Sequence, residues 1–384
     1  MAAEIAATCG SGEADGYLRF VAFLRELYRL ELPHFIDRNL DSPVQLLGPA
    51  LVRLVGLGGF GRLGRTVGRY FADPRLRRIF SFQAMYAGLA PARALALYAV
   101  ITYMDCVNGV YFPEGGMHAV PRAMAGAASS HGVRFRFGTA VERVDVSGGR
   151  ASGVITTQGE RIPADVVVVN ADLPTAYRRL LPGQAAPRRL RGLRYSPSAV
   201  VLHAGSRAGS HQGVHHTIEF GAAWESTFDE IIERGEVMSD PSFLLTTPTR
   251  SDASLAPPGR DTHYVLFPAP NLDGRVDWAA QRAAYREHMV KTVEARGYLG
   301  FAESIECEHL VTPLDWQGQG LERGAPFAAA HTLVQSGPFR APTLDRRIGN
   351  VVFCGSNTQP GVGVPMVLIS GRLAAERITA AGRR

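Results

Sequence analysis

The 384 residues predict a mixed α/β fold in which a strand-rich domain is interrupted by a second domain of strands and helices. Three observations carry that expectation. Residues 351–379 run as an apolar strand, a glycine turn and an amphipathic helix in direct succession. Residues 111–172 show short strands with period-2 alternation, whereas residues 1–105 keep a helical period. Residues 195–340 combine both patterns with many prolines, so they read as a mixed domain inserted before the final strand and helix.

In chain order, Tyr17, Phe20, Val21, Leu24, Leu27 and Tyr28 fall on one stripe of a helix within residues 15–45. Helical spacing continues over residues 45–103, broken by glycines at 56–68 and by Pro74 and Pro91. Strands are expected at 133–137, 141–146, 151–157 and 166–170, and Ser147-Gly148-Gly149 makes the second and third a hairpin. The unbroken apolar run 166–169 suggests a strand covered on both faces. Further strands are expected at 199–203 and 264–267, with a helix over 278–296.

The formal charge of +6 comes almost wholly from arginine, scattered and without aromatic interleaving, which argues against nucleic acid as a partner. Cys9, Cys106, Cys307 and Cys354 lie far apart, form no CxxC pair and encode neither a disulfide framework nor a zinc site. A reducing, cytoplasmic compartment follows, and no metal is expected. No apolar run is long enough to cross a bilayer. Arg53, Arg62, Arg65, Arg69, Arg75, Arg77 and Arg78, however, interleave with Leu54, Val55, Leu57, Phe60, Leu63 and Phe71. Such a surface can rest on anionic lipid headgroups, or be a plain solvated helix face.

At the C-terminal turn, Gly355, Gly361 and Gly363 allow the backbone to approach a ligand closely, and Pro365 suits a first helical turn. Amides at that helix start favour a phosphate or an electron-rich ring edge. Gly56-Leu57-Gly58-Gly59-Phe60-Gly61 matches G-x-G-x-x-G in form only. Arg53 interrupts the preceding segment, and Arg77 and Arg78 stand where an acidic residue belongs. Asp172 in Asn170-Ala171-Asp172 ends an apolar strand, where ligands of parallel sheets bind, or serves as a helix cap. His215 and His216, adjacent in a strand, point to opposite faces and do not suit a shared metal. His331 is the better histidine candidate. No GxSxG, HExxH or P-loop occurs, which excludes the common hydrolase and kinase mechanisms.

Several segments, in this order, resemble the bacterial phytoene desaturase family of FAD-dependent carotenoid dehydrogenases within the amine-oxidase-like flavoproteins. They are Asp73-Pro74-Arg75-Leu76-Arg77 with Phe80-Ser81-Phe82-Gln83, Tyr111-Phe112-Pro113-Glu114-Gly115-Gly116-Met117, and Val167-Val168-Val169-Asn170-Ala171-Asp172. Ser254-Leu255-Ala256-Pro257-Pro258-Gly259, Pro268-Ala269-Pro270-Asn271-Leu272, the stretch 327–332 and Gly361-Val362-Gly363-Val364-Pro365 complete the pattern.

The resemblance implies an FAD domain of Rossmann type joined to a substrate domain with a mixed, antiparallel sheet. The segments would be 1–105 (helical, substrate- and membrane-facing), 106–175 (FAD domain), 176–341 (substrate domain) and 342–384 (FAD domain). It implies cofactor contacts at Val141, Gly355, Thr358, Gly361, Gly363, Val364, Pro365 and Met366. Phe80, Phe82, Tyr86, Tyr98, Tyr103, Phe327 and His331 would line an apolar tunnel. The substrate would be a long polyene drawn from a peripheral membrane surface, losing hydride to flavin and a proton elsewhere. The resemblance supplies no general base. Family members open with a strand and G-x-G-x-x-G turn that this sequence does not contain, so the FAD domain is expected to be incomplete and FAD to bind weakly or not at all. A non-catalytic carotenoid-binding protein, or a related ketolase or isomerase, are the alternatives.

Overall fold

The strands, in chain order, are Val141–Ser147 (β1), Arg150–Thr156 (β2), Arg161–Pro163 (β3), Val167–Val169 (β4), Ser198–Arg207 (β5), His216–Glu219 (β6), Phe243–Thr246 (β7), Arg260–Ala269 (β8), Ile305–Val311 (β9) and Val351–Phe353 (β10). The computed structural model describes residues 1–209 and 213–381. It separates into two units, one of residues 1–110, 139–196 and 327–384, the other of residues 111–138 and 197–326. The inserted part thus spans 197–326 and takes the stretch 111–138 with it, and the strand-rich segments on either side share a unit with the N-terminal helices.

In the first unit, the helix Ser11–Glu31 buries the expected stripe: Phe20 and Leu27 are 0% exposed and Leu24 1%. Phe20 meets Phe71 and Phe80 at ring separations of 5.5 and 5.6 Å, and Phe71 stacks on Phe80 at 4.9 Å. Fully buried rings and leucines of this kind contribute about 1.5–3 kcal/mol each. Gly16 belongs to the same packing, since a Cβ there would lie 2.2 Å from the Tyr70 carbonyl oxygen.

β1, β2 and β3 form an antiparallel sheet. Its first turn places Gly148 at φ 57° and Gly149 at φ 73°, two left-handed positions that suit a tight hairpin. β10 pairs in parallel with β4, Val351 opposite Val167 and Phe353 opposite Val169.

Two strand expectations change. Val168 is 49% exposed between buried Val167 and Val169, so the run is covered on one face only. In the two-stranded β10–β4 ribbon, Val167 and Val169 face Val144, Ala151 and Tyr177, and Val168 projects the other way. Residues 133–137 join no sheet among the described residues. They are exposed, and Phe135 and Phe137 stack on each other at 5.7 Å.

The second unit is organised by an antiparallel sheet in the order β6-β7-β8-β5-β9. β5 and β8 pair over ten residues from Ser198/Ala269 to Arg207/Arg260. The helix Trp278–Ala295, capped by Asp277 Oδ1 accepting from the Ala279 and Ala280 amides at 3.1 Å, shares its core with them. Val200, Leu202, Phe267, Trp278, Met289 and Val293 pack together there. No helix among the described residues is long and apolar enough to cross a membrane.

Candidate functional site

β10 delivers the chain to Gly355, which sits at φ 116°. The turn that follows is closed by its own polar groups. The Gly355 amide donates to Ser370 Oγ at 3.1 Å, the Thr358 amide to the Gly355 carbonyl at 3.1 Å, and Thr358 Oγ1 to that same carbonyl at 2.8 Å. Thr358 Oγ1 also lies 2.9 Å from Ser370 Oγ, and the residue is 1% exposed. Its hydroxyl is therefore occupied inside the turn.

Three further buried side chains fix this segment. Arg340, 3% exposed, donates through Nε to the Thr358 carbonyl (3.1 Å) and through its terminal nitrogens to the carbonyls of Ser356 (2.6 Å), Ala329 and Gln335 (both 3.3 Å). Burial pulls its pKa down to about 10, opposed by Tyr98 and Asp172, so it remains a cation at neutral pH. Gln359 donates to the Leu40 carbonyl at 2.7 Å and accepts from the Leu40 amide at 3.0 Å. Asn357 donates to Asp172 Oδ1 and accepts the Ala329 amide at 3.0 Å. Asp172, expected at a sheet edge or as a cap, thus uses its carboxylate on the turn; the short helix it precedes has no side-chain cap. Asn170 donates to the Cys354 carbonyl at 3.2 Å.

His331 lies against this turn. Its amide donates to the Ala87 carbonyl at 2.8 Å, and its carbonyl accepts the Tyr98 hydroxyl at 2.6 Å. A Cβ at Gly361, where φ is 142°, would stand 2.2 Å from His331 Nε2. Burial, then the Arg340 cation, hold the imidazole well below the usual histidine range, so it is neutral. Its Nδ1 and the Thr332 hydroxyl are buried with no hydrogen-bond partner. Ala328, three residues earlier, adopts φ 60°, a strained position for a residue with a side chain.

Past Gly361 the turn opens. Gly363, at φ 107°, has empty space where a Cβ would project, and Val364 and Pro365 are exposed at the start of the helix Val364–Ala381, with Met366 half-buried. The first-turn amides of an 18-residue helix have no intrahelical acceptor. Open backbone at Gly363, free helix-start amides and an unpartnered imidazole nitrogen fit a flavin ring edge and its linker. Val141 stands at the first position of β1, 38% exposed, paired with Thr156.

The aromatic residues separate into two settings. Phe80 is 1% exposed, its ring taken up by Tyr17, Phe20 and Phe71. Tyr98 is 7% exposed and tied to His331 and to Ser336 Oγ at 2.7 Å, and burial pushes its hydroxyl up to about 12. By contrast Tyr86 is 43% exposed and meets Phe82 edge-on at 5.5 Å. Tyr103, half-buried, stacks on Tyr28 at 4.6 Å, and Phe327 is half-buried.

The double glycine of the 111–117 stretch lies in the second unit. There the Gly115 amide donates to Asp252 Oδ2 at 2.7 Å and Gly116 abuts Leu255. In the first unit, Asp73 of the Asp-Pro-Arg motif caps the helix Pro74–Ile79, accepting the Arg75 amide at 2.7 Å. The sequence reading missed Arg340, Asn357 and Gln359. Arg340 carries no local signal, but polar Asn357 and Gln359 within an apolar, glycine-rich stretch could have been read as turn anchors.

Residues 7–379 match the family of flavin containing amine oxidoreductases. The chain is 53% identical over 382 residues to a phytoene dehydrogenase of Streptomyces griseus, covering 99% of this chain and 75% of that protein. It is 39% identical over 373 residues to a zeta-carotene-forming phytoene desaturase of Myxococcus xanthus, covering 95% and 72%. Among solved structures, an oxidoreductase from Methanosarcina mazei superposes with a TM-score of 0.56 at 15% identity over 85% of this chain and 71% of its own, a likeness of fold. The strand, glycine turn and helix at 351–381, read with these matches, establish that the chain belongs to the flavin containing amine oxidoreductases, in their phytoene desaturase branch.

Proposed function

We propose that this chain desaturates phytoene or a closely related linear polyene, with FAD as its flavin. The observation that carries this is the 53% identity over 382 residues to the Streptomyces griseus phytoene dehydrogenase. That relative and the Myxococcus xanthus protein are both named for redox chemistry on carotenoids, so the non-catalytic binding alternative is not favoured.

When bound, flavin supplies a two-electron hydride acceptor. The chain's own residues supply position. Gly361 and Gly363 let the backbone approach the ring edge, while Arg340, Asn357 and Gln359 hold that backbone still. A polyene offers only C–H bonds to a site, so alignment and exclusion of water carry most of the catalytic burden. Phe82, Tyr86, Tyr103 and Phe327, all with accessible ring surface, suit the walls of the polyene path.

Approach to a membrane surface is supported by Val52 (71% exposed) and Val55 (57%) on the helix Pro49–Gly56, with Leu47 (72%) just before it. The arginines of the region contribute less than their number suggests. Arg62 donates to the Arg93 carbonyl, Arg77 to the Phe71 carbonyl, and Arg53 and Arg75 pair with Glu26 and Asp73. Apolar insertion therefore outweighs headgroup attraction in this reading.

The test is to purify the chain, measure its flavin absorbance, load it with FAD, and add phytoene in liposomes with a quinone as terminal acceptor. The expected product absorbs at longer wavelength as conjugation grows. Retained flavin with unchanged phytoene would overturn the reading.

A further inference from the structure

Below Tyr86 lies a polar group that nothing above has used. The segment Tyr103–Val107 is a π-helix, a wide turn often found at functional positions. All five of its residues are half-buried, where an ordinary surface helix would alternate buried with exposed. Asp105 sits in the middle. One of its carboxylate oxygens, Oδ1, is buried and has no hydrogen-bond partner; so are Gln83 Oε1 and Thr102 Oγ1, on residues that are 0% exposed.

Two features place this group near the surface rather than in sealed core. Tyr86 is 43% exposed, yet the protein crowds its hydroxyl enough to raise its pKa strongly, with Asp105 the next cause. Asp105 itself is half-buried, so part of its side chain is open to solvent. The helix Phe82–Ala87 that carries Gln83 and Tyr86 also binds the flavin-side turn, since its Ala87 carbonyl receives the His331 amide beside Gly361. Four residues of 3₁₀ helix advance about 8 Å, so Gln83 and the Ala87 carbonyl stand at opposite ends of one short element.

We propose that Asp105 is the proton acceptor of the desaturation, reached from the exposed side of Tyr86. This rests on the desaturase reading. One C–H bond of the saturated carbon pair breaks with its electron pair passing as hydride to the oxidised flavin. On the adjacent carbon, the C–H bond breaks with its proton passing to an Asp105 oxygen, and the electrons left behind become the new C=C bond.

Burial lifts the Asp105 carboxyl to about 6, opposed by hydrogen bonds from Cys106 and Gln83, which leaves it ionised at neutral pH and basic enough to take a proton. The titratable groups around it are Cys106, itself pushed up by burial, and Tyr86. The helix Ser11–Glu31 brings Tyr17 toward Cys106, Tyr28 against Tyr103, and the buried Glu31, whose carboxyl burial also raises.

The test uses the full chain with Asp105→Asn and Asp105→Glu, whose folding is compared by circular dichroism. Without flavin or substrate, infrared titration is expected to show a carboxylic-acid band ionising near pH 6 that Asp105→Asn lacks; persistence of that band in the variant overturns the assignment. With FAD loaded, flavin bleaching by phytoene liposomes in a single turnover is expected to rise with pH through the same midpoint. Asp105→Asn should slow it about 100-fold or more while phytoene still co-sediments, and Asp105→Glu should restore part of the rate and its pH limb. Bleaching in Asp105→Asn at the wild-type rate and profile refutes the inference alone. A wild-type chain that binds phytoene and leaves flavin oxidised refutes the desaturase reading and the inference with it.

Discussion

Replacing Gly361 by alanine tests whether the turn is as closely packed as it is drawn. The new Cβ would lie 2.2 Å from His331 Nε2, 3.0 Å from Cε1 and 3.3 Å from Cδ2. Ordinary contact begins near 3.4 Å, so the imidazole must retreat by roughly 1.2 Å. Its backbone cannot follow, because the His331 amide and carbonyl are held by Ala87 and Tyr98 at 2.8 and 2.6 Å. Overpacking of this kind costs about 1–3 kcal/mol, and an alanine at φ 142° adds about 1–3 kcal/mol of backbone strain. Gly363→Ala meets the strain at φ 107° but nothing within 4 Å. Urea unfolding should therefore rank Gly361→Ala as the more destabilising by about 1–3 kcal/mol. Combining it with His331→Ala should return that difference as a coupling energy. Equal losses in the two glycine variants, or additive behaviour of Gly361→Ala with His331→Ala, would refute the packing argument.

Arg340→Met removes the donor shared by the carbonyls of Ala329, Gln335, Ser356 and Thr358, and should cost about 3–5 kcal/mol in urea unfolding, with Arg340→Lys intermediate. Thr358→Val should cost about 1–3 kcal/mol and lower flavin retention on gel filtration, because the Gly355 carbonyl and Ser370 lose their partner. Asp105→Asn gives a stability prediction independent of catalysis. The folded carboxyl titrates near 6 against an ordinary value of 3.8, so the wild type is relatively stable below about pH 4 and loses stability as pH rises to about 6. The variant should match wild type at the acid end and exceed it by up to about 3 kcal/mol above pH 6, read by denaturant melts across pH. His331 titrates in the opposite sense. Held neutral well below 6.5, it favours folding above that pH and loses that contribution as pH falls, so His331→Asn should flatten the acid side of the stability profile.

What the sequence revealed follows from the range of the forces involved. The stripe Tyr17, Phe20, Leu24 and Leu27 is written in local periodicity, and so are the hairpin at Gly148-Gly149 and the strand–turn–helix after Val351. Local signals cannot say which face of a strand another segment covers, and Val168 is exposed for that reason. Nor can they show how a side chain is used. Thr358, expected at the cofactor, has its hydroxyl engaged within its own turn; four of the clustered arginines, read as facing lipid or solvent, serve carbonyls or carboxylates of the chain. Arg340 and Asp105 are ordinary charged letters whose importance arises only from burial by residues distant in sequence.

The distribution of satisfied and unsatisfied polar atoms around the turn bears on where a ligand sits. A glycine-rich loop that must accept a ligand through its backbone cannot pair its amides and carbonyls regularly, and unpaired buried groups are costly. Arg340, Asn357, Gln359 and Ser370 pair with carbonyls and amides within residues 329–358, among them those of Thr358, Ser356, Ala329, Gly337 and Gly355. Left open are His331 Nδ1 and Thr332 Oγ1, the space at Gly363 and the first turn of the helix Val364–Ala381. A loop that was merely irregular would scatter its unsatisfied atoms. This one leaves its backbone accessible at Gly363 and the first turn of the helix that follows, and ties down the residues before them.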